Sequence, residues 1–373
     1  MKIQVKRDEI LKGIQRAQGV VERKSTMPVL SNLLIETGGE GIDIIATDLE
    51  IGIKDRCAAK VIESGAVAVS ARKVFEILRE IIGEDILIEK EKNNWVKITD
   101  GNSEFRIMGL GKEEFPSLPE AKETSLLTIE ASLLSEMLKK TIYASGESDT
   151  RYVLNGLLFA AKPQPPGISL TMVGTDGHRL AIINKSIETN ETGLQEDKNV
   201  IIPKKTAVEL KKLIEEGDSA ISVGLDKNHI IFKRENTIIL SRLIEGNYPN
   251  YEQVLSATHD KKVSIGREIF IGALRRVSIL SKEKTNAVKL DIEKDRIILS
   301  SNNPDIGEAK EETKISYKGE ALSIGFNARY LLDALSAMDG ENVTLNLYDP
   351  LSPAFLTEEG ETGYKCVVMP MRI

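Results

Sequence analysis

A short alternating strand runs into an amphipathic helix at three places along the chain: "IQVKRDEILKGI", "LTIEASLLSEML" and "VSIGREIFIGAL". Superposed, the three align Val5, Ile129 and Ile265 in the strand, then Ile10, Leu134 and Phe270, then Ile14, Leu138 and Leu274 on the helix. The unit recurs roughly every 125 to 135 residues, too long a period for a solenoid and of the right size for a domain. A second strand-to-helix unit lies inside each copy, at "VAVSARKVFEIL", "VIIPKKTAVELKKLI" and "LSIGFNARYLLDAL". There Val69, Ile202 and Ile324 align, as do Phe75, Val208 and Tyr330, and Ile77, Leu210 and Leu332. The pattern predicts three similar domains, 1–124, 125–257 and 258–373, each made of two similar halves.

After each helix come stretches with Val, Ile and Leu at period two, such as "ILIEKEKNNWVKITDGNSEFRIMGL" and "AISVGLDKNHIIFKRENTIILSRLI". Broken by "NN", "DG" and "DKN", they read as antiparallel hairpins with one face buried. Each domain is therefore expected to be α+β, with two helices packed on antiparallel sheets. The boundary segments "GKEEFPSLPEAKETS" and "EGNYPNYEQVLSATHDKK" read as linkers, and "AKPQPPG" as a hairpin loop whose prolines could not donate to a central ladder.

With 373 residues and 41% hydrophobic content, three cores can form without disulfide or metal support. Cys57 and Cys366, the two cysteines, make no CxxC, which suits a reducing compartment. The segment "MKIQVKRDEILKGIQ" lacks the apolar region of a signal peptide, and no apolar run approaches the ~20 residues that span a bilayer. A cytoplasmic protein with no membrane partner is the expectation.

A formal charge of −7 weighs against nucleic acid, since non-specific affinity for DNA comes mainly from neutralising phosphates. The distribution of charge points the other way. Basic residues gather on the predicted helices (Lys12, Arg16, Arg23 and Lys24; Arg72, Lys73 and Arg79; Lys139 and Lys140; Lys204, Lys205, Lys211 and Lys212; Arg275, Arg276, Lys282 and Lys284) and acidic residues gather in tips such as "EKEKNNW" and "EEGETG". One such helix would be an ordinary solvated face, because Lys and Arg are good helix formers. The recurrence over equivalent helices gives the pattern its weight, although "NARYLLDALSAM" offers only Arg329 and carries Asp333.

No catalytic constellation emerges. "ATDLEIGI" and "GTDGHRLAI" place Thr-Asp at the same point of the first two repeats. A catalytic Asp176–His178 pair would have no reason to be duplicated, whereas an Asp turning between strands serves every copy. His178, His229 and His259 have no metal-binding spacing, and "GLGK" lacks the frame of a phosphate loop. No metal and no cofactor are expected. The tail "CVVMPMRI" is unusual in being apolar, with Met369 and Met371 flanking Pro370. It reads as a buried last strand, an adaptable binding surface, or both.

Taken together, "MPVLSNLLIE", "ATDLEIGI", "RYVLNGLLF", "TDGHRLA", "GNYPNY" and "VVMPMR" resemble, in order and along the whole chain, the bacterial DNA sliding clamp family, the beta subunit of DNA polymerase III. The resemblance implies a ring-shaped homodimer that encircles duplex DNA without reading its sequence and tethers the replicative polymerase, conferring processivity without catalysis. Basic helices inside an acidic protein agree with weak, base-blind contact in a hole.

By motif, the resemblance implies DNA-facing residues Lys24, Arg72, Lys73, Lys205, Asn327 and Tyr330, with Thr285 and Asn286 departing from the family pattern in a neighbouring loop. It implies a groove for peptide motifs of the polymerase, the clamp loader and other clients, built from Leu154, Thr175, Gly177, His178, Arg179, Leu180, Pro249, Val254, Leu351, Val367, Met369, Pro370, Met371 and Arg372. Gln253 and Pro353 alter its rim. It also implies a subunit contact of Phe105, Ile107, Ile77 and Ile81 against Ile279 and Leu280. Two other readings remain at this level: a repeat-built scaffold for peptides or polysaccharide, and an enzyme using Asp176 and His178.

Overall fold

The repeated units form as their patterns dictate. The computed structural model describes residues 1–21, 27–119, 125–188, 194, 196–226 and 228–372. Over these residues the chain folds into two compact units, one of residues 1–134 with 205–243 and one of residues 135–204 with 244–373. The helices among the described residues are α1 (Arg7–Val20), α2 (Ala71–Glu80), α3 (Ala131–Thr141), α4 (Lys204–Glu215), the single-turn α5 (Glu252–Leu255), α6 (Arg267–Ser278) and α7 (Ala328–Ala337).

The first unit is built on one 13-stranded antiparallel sheet. Ile10, Ile14, Ala17 and Val20 recur at helical spacing, and α1 buries that stripe. Val74 and Leu78 do the same on α2, whose N-cap Ser70 accepts a hydrogen bond from Lys73 N. The "NN" hairpin tip puts Asn93 and Asn94 at φ 58° and 62°. Asparagine tolerates that left-handed backbone better than most residues. The strand Thr237–Arg242 lies antiparallel to Ile51–Ala58, with Ser241 opposite Ile51 and Thr237 opposite Asp55.

The second unit holds an eight-stranded and a four-stranded sheet. Phe270, Ala273, Leu274 and Val277 form the buried stripe of α6, and Leu331, Ala334 and Leu335 that of α7. Tyr364–Val368 lies antiparallel to Arg179–Glu188, with Val368 opposite Arg179 and Tyr364 opposite Ile183. The proline loop is a hairpin tip: Gln164 pairs with Gly167, leaving Pro165 and Pro166 between the strands. Pro163 lies past Ala161, the last residue that its strand pairs on the other side, so the missing N–H interrupts no ladder.

All nine positions of the first repeat alignment, from Val5 to Leu274, are buried. The second alignment slips in its third copy. The strand-to-helix junction falls at Ser70, Pro203 and Asn327, which matches Val69 and Ile202 to Phe326 instead of Ile324. Leu332 then stands where Tyr330 was expected, and Ala334 where Leu332 was. A two-residue slip preserves the buried face of a strand, so alternation alone could not detect it.

Two of the helix cations do not belong to a solvated face. Lys140 is buried, with its ammonium 2.9 Å from Glu358 and 3.2 Å from Glu361. Arg16 donates to Asp55 at 2.7 Å and to Glu216 at 2.8 Å, and Thr237 donates to the same Asp55. Charge of this kind ties elements together, because a buried cation is tolerated only when paired.

Candidate functional site

The Thr-Asp motif makes the same turn twice. In the first copy Asp48 Oδ1 accepts from Glu50 N and Ile51 N, while Thr47 Oγ1 accepts from Leu49 N and donates to Ile51 O. In the second, Asp176 Oδ1 accepts from His178 N and Arg179 N, while Thr175 Oγ1 accepts from Gly177 N and donates to Arg179 O. Gly177 sits at φ +85°, the left-handed region that favours glycine. Both carboxylate oxygens of Asp176 are engaged, the second by Arg179 Nε at 3.1 Å. The turn therefore presents a surface rather than a general base.

That surface is apolar. Leu180 follows the turn and packs with Leu158, Val173, Ile182, Phe355 and Val367 into one cluster. Tyr248, Tyr251, Val254, Leu255 and Ala257 cover it from the segment that reads as a linker in the sequence. Tyr248 donates its hydroxyl to Val173 O at 3.1 Å, so this stretch, with its single-turn α5, is part of the wall. Leu154 and Thr175 are buried beside it, and Leu351 and Pro249 are exposed. His259 Nε2 meets Pro353 O at 3.2 Å and its ring stands edge-on to Phe355, so Pro353 fixes one flank.

The tail is both strand and surface. Val367 and Val368 are buried, whereas Met369 is 36% exposed. Met369 N donates to His178 O at 2.9 Å and Met371 N to Gly325 O at 2.8 Å, which fixes Pro370 between them and leaves Arg372 exposed. A flexible, polarisable methionine held on a fixed backbone suits an adaptable contact.

Behind the turn, Arg179 is held by charge and rings. It donates to Asp333 at 2.5 Å and lies 4.5 Å over Tyr330 and 5.5 Å over Tyr143. Burial alone would lower its pKa; the hydrogen bond to Asp333 and the charge of Asp176 outweigh that and raise it. Deeper still, burial pushes the Cys366 thiol up to about 12, beside a Tyr143 hydroxyl 3.2 Å away. Both Cys57 and Cys366 are free and buried, and burial pushes the Cys57 thiol up to about 12 as well, which disfavours the thiolate that would react at either.

Among the residues expected to face DNA, Lys24 lies outside the described residues. Arg72 and Lys73 are exposed on α2 and share Glu76, at 2.7 and 2.8 Å. Their hydrogen bonds hold that carboxyl down at about 2. Lys205 is exposed on α4, donating to Val20 O at 2.9 Å and to Asp48. Asn327 is the N-cap of α7, its Oδ1 accepting from Arg329 N and Tyr330 N. Tyr330 is half-buried, its ring stacked with His178 at 6.4 Å. Asn286 occupies a turn at φ +47° and accepts from Ala328 N, which accounts for an asparagine there. Among the described residues no group of His, Cys, Asp or Glu could hold a metal ion, and no helix is long and apolar enough to cross a membrane.

Of the residues expected at the subunit contact, Phe105, Ile107, Ile77 and Leu280 are half-buried and Ile279 is exposed. Ile81 is only 3% exposed, while Ile82 beside it is 90% exposed. Ile81 ends α2 facing the core of its own unit, so the apolar surface at this point belongs to Ile82. The sequence reading also passed over Leu158, Val173, Ile182, Tyr248 and Phe355. The alternation of Leu158, Val173, Ile182 and Phe355 is visible in the sequence, but only cross-strand pairing sets them side by side, and Tyr248 reaches them from a segment without strand structure.

Models of the DNA polymerase III beta subunit N-terminal, central and C-terminal domains match residues 1–119, 128–250 and 252–372. The chain is 35% identical to the beta sliding clamp of Pseudomonas putida over 375 residues, covering 100% of both. It is 32% identical to that of Escherichia coli K12, again over 100% of both. A structure of the sliding clamp of Bartonella birtlesii bound to griselimycin is similar with a TM-score of 0.93 and 32% identity over 100% of each chain. The clamp of Bacillus subtilis is similar with a TM-score of 0.92 and 26% identity, covering 100% of this chain and 99% of that one. Whole-length matches, all three domain models in order and the duplicated Thr-Asp turn place the chain in the DNA polymerase III beta subunit family, the beta sliding clamps of DNA replication.

Proposed function

We propose that two copies of this chain close head to tail into a ring of six similar domains, 1–124, 125–257 and 258–373 of each. The ring encircles duplex DNA in the cytoplasm without catalysis and holds the replicative polymerase, the clamp loader and other clients by peptide motifs in the groove around Leu180 and Met369. One observation carries the ring. Two junctions inside the chain use corresponding strands in corresponding register: Ser241 opposite Ile51, and Val368 opposite Arg179. Hairpin partners identify the third member of each set. Ile107 pairs with Val96 as Ser241 does with Ile230 and Val368 with Ala354. Ala309 pairs with Ser301 as Ile53 does with Ala46 and Ala181 with Gly174, so Gly307 corresponds to Ile51 and Arg179.

Among the described residues, Glu104–Met108 and Gly307–Lys314 each keep one edge without a partner strand. An unpaired edge is a template for another chain. Joined in the register of the other two junctions, these edges set Ile107 opposite Gly307, Arg106 opposite Glu308, Phe105 opposite Ala309 and Glu104 opposite Lys310. This register places two opposite-charge pairs across the junction, Arg106 with Glu308 and Glu104 with Lys310. Leu280 Cδ1 lies 3.8 Å from where a Gly307 Cβ would stand, ready to meet Phe105 and Ile107. Exposed Ile82 and Met108 on one side, and Ile279 and Ile306 on the other, supply further apolar surface.

Exposed Arg72, Lys73 and Lys205 support the DNA contact, with Arg329, exposed on α7, a better candidate there than the capping Asn327. The test is retention. Once loaded, the protein stays on nicked circular DNA and is lost when the circle is linearised; equal loss from both forms refutes encirclement. For the groove, deleting residues 369–373 abolishes binding of a fluorescein-labelled polymerase peptide with a Gln and two apolar anchors, while sedimentation still gives a dimer. Unchanged anisotropy titration would place the clients elsewhere.

A further inference from the structure

We infer that Arg276 of one copy reaches Asp100 of the partner subunit, a charged clasp at each subunit junction; this rests on the ring reading above. The helix alignment that matches Ile14, Leu138 and Leu274 also matches Arg16, Lys140 and Arg276, two residues further on. All three are cations, and the first two are fixed at the junctions inside the chain. Arg16 donates to Asp55 at 2.7 Å and to Glu216, just past α4, at 2.8 Å. Lys140 lies 2.9 Å from Glu358 and 3.2 Å from Glu361, both beyond α7. Each cation thus has two acids, and each takes at least one from the repeat that follows its own.

Arg276 has half of this arrangement within its own chain. Since Gly307 corresponds to Ile51, Glu311 corresponds to Asp55, and Arg276 Nε and Nη2 donate to Glu311 at 2.9 and 2.6 Å. Its side chain is still 63% exposed. The α6 helix belongs to the last repeat, so an acid from the following repeat has to come from the other copy. Asp100 stands at the right position. Phe105 and Cys366 correspond, and they pair with Ile98 and Leu356, which matches Asp100 to Glu358. The two carboxylates also make the same backbone bond: Asp100 Oδ2 accepts from Gly83 N, and Glu358 Oε2 from Gly340 N. Gly83 and Gly340 lie equally far past the matched N-caps Ser70 and Asn327. In the first junction Arg234 takes this position, because Ile239 pairs with Phe232, and there Arg16 uses Glu216 instead. Hydrogen bonds from Ser103 N, Asn102 N and Gly83 N hold the Asp100 carboxyl below the usual carboxylate range, so it meets the guanidinium ionised.

The experiment measures the dimer dissociation constant of the full-length protein by sedimentation at low salt. Arg276→Gln and Asp100→Asn are each expected to raise it about tenfold, the contact being lost at two junctions. The double variant is expected to match the single ones, since both changes remove the same contact. Arg276→Lys, the residue type of the second junction, should keep most of the affinity. Thermal melts at concentrations where the chain is monomeric show whether Asp100→Asn disturbs its own turn; if it does, Arg276→Gln against Arg276→Lys decides alone. A dissociation constant unmoved by Arg276→Gln, a Lys variant as weak as the Gln one, or losses that multiply in the double variant overturns the clasp. A parent protein that sediments as a monomer throughout overturns the ring reading instead.

Discussion

The register proposed for the subunit junction can be tested through Glu308. In the closed ring it faces Arg106 of the other copy at both junctions. Glu308→Arg turns an attractive cross-strand pair into a repulsive one twice. Opposite-charge cross-strand pairs contribute roughly 0.2–1 kcal/mol, and like charges oppose by a similar amount. Loss and repulsion together come to about 1 kcal/mol per junction and about 2 kcal/mol per ring, a dimer dissociation constant raised about 30-fold. The exposed site makes the effect salt-dependent, and it should fade towards 1 M salt, where the screening length falls to about 3 Å. Arg106→Glu on the same chain restores the pairing with reversed sign. That substitution has a local cost, since Arg106 also pairs with Glu91 and lies 5.6 Å over Trp95, so rescue should be partial. The assay is subunit exchange by energy transfer at nanomolar concentration, at low and high salt. An unchanged dissociation constant for Glu308→Arg, or a double variant weaker than either single one, would falsify the register.

Ile81 and Ile82 should separate core from contact: Ile81→Ala is expected to lower the unfolding free energy by about 3 kcal/mol, while Ile82→Ser should leave the melt alone and weaken the dimer. Reversal of the two, by denaturant titration and sedimentation, would restore Ile81 to the contact. Replacing Arg72, Lys73 and Lys205 together by Ala should shorten residence on circular DNA and reduce the salt slope by about 0.9 for each phosphate no longer neutralised. Glu76→Gln should lengthen residence by releasing Arg72 and Lys73, and a slope unmoved by either change would make these ordinary solvated faces. Burial would raise the pKa of Glu358, but hydrogen bonds from Gly340 N and Lys140, with those from Asp339 N, outweigh it and lower it from 4.5. A depressed carboxyl contributes stability that is present above 4.5 and lost as the pH falls through its folded value. Thermal melts of the parent should therefore drop more steeply below that pH than those of Glu358→Gln; parallel curves would remove Glu358 from the acid response.

Much of the groove was legible through its turn. Thr175, Asp176 and Gly177 specify a local hydrogen-bond pattern that any reader of turn chemistry can recognise twice, and the apolar Met-Pro-Met tail marks a surface. The floor was not legible. Leu158, Val173, Ile182 and Phe355 sit on different strands with no local signature, and they become neighbours only through register.

Helix charge shows the same division. Composition gave Lys140 and Lys205 equal standing, yet Lys140 is buried against Glu358 and Glu361 and Lys205 is exposed. Which face of a helix turns inward depends on partners far along the chain. Ile81 and Ile82 differ by one residue at the end of a helix, a distinction that periodicity cannot resolve where the helix stops.

What the amino-acid sequence determined by itself was the repeated unit and its local chemistry: the buried stripes from Val5 to Leu274, the hairpin tips at Asn93 and Asn94, and the Thr-Asp turns. These depend on residues within one or two helical turns of each other. Only the tertiary structure decided that Ser241 lies against Ile51 and Val368 against Arg179, and that two further edges remain open in the same register. Strand pairing across the repeats is set by long-range backbone hydrogen bonding. A strand displaced by two residues presents the same face, so the sequence pattern is compatible with several registers and the packed sheet with one.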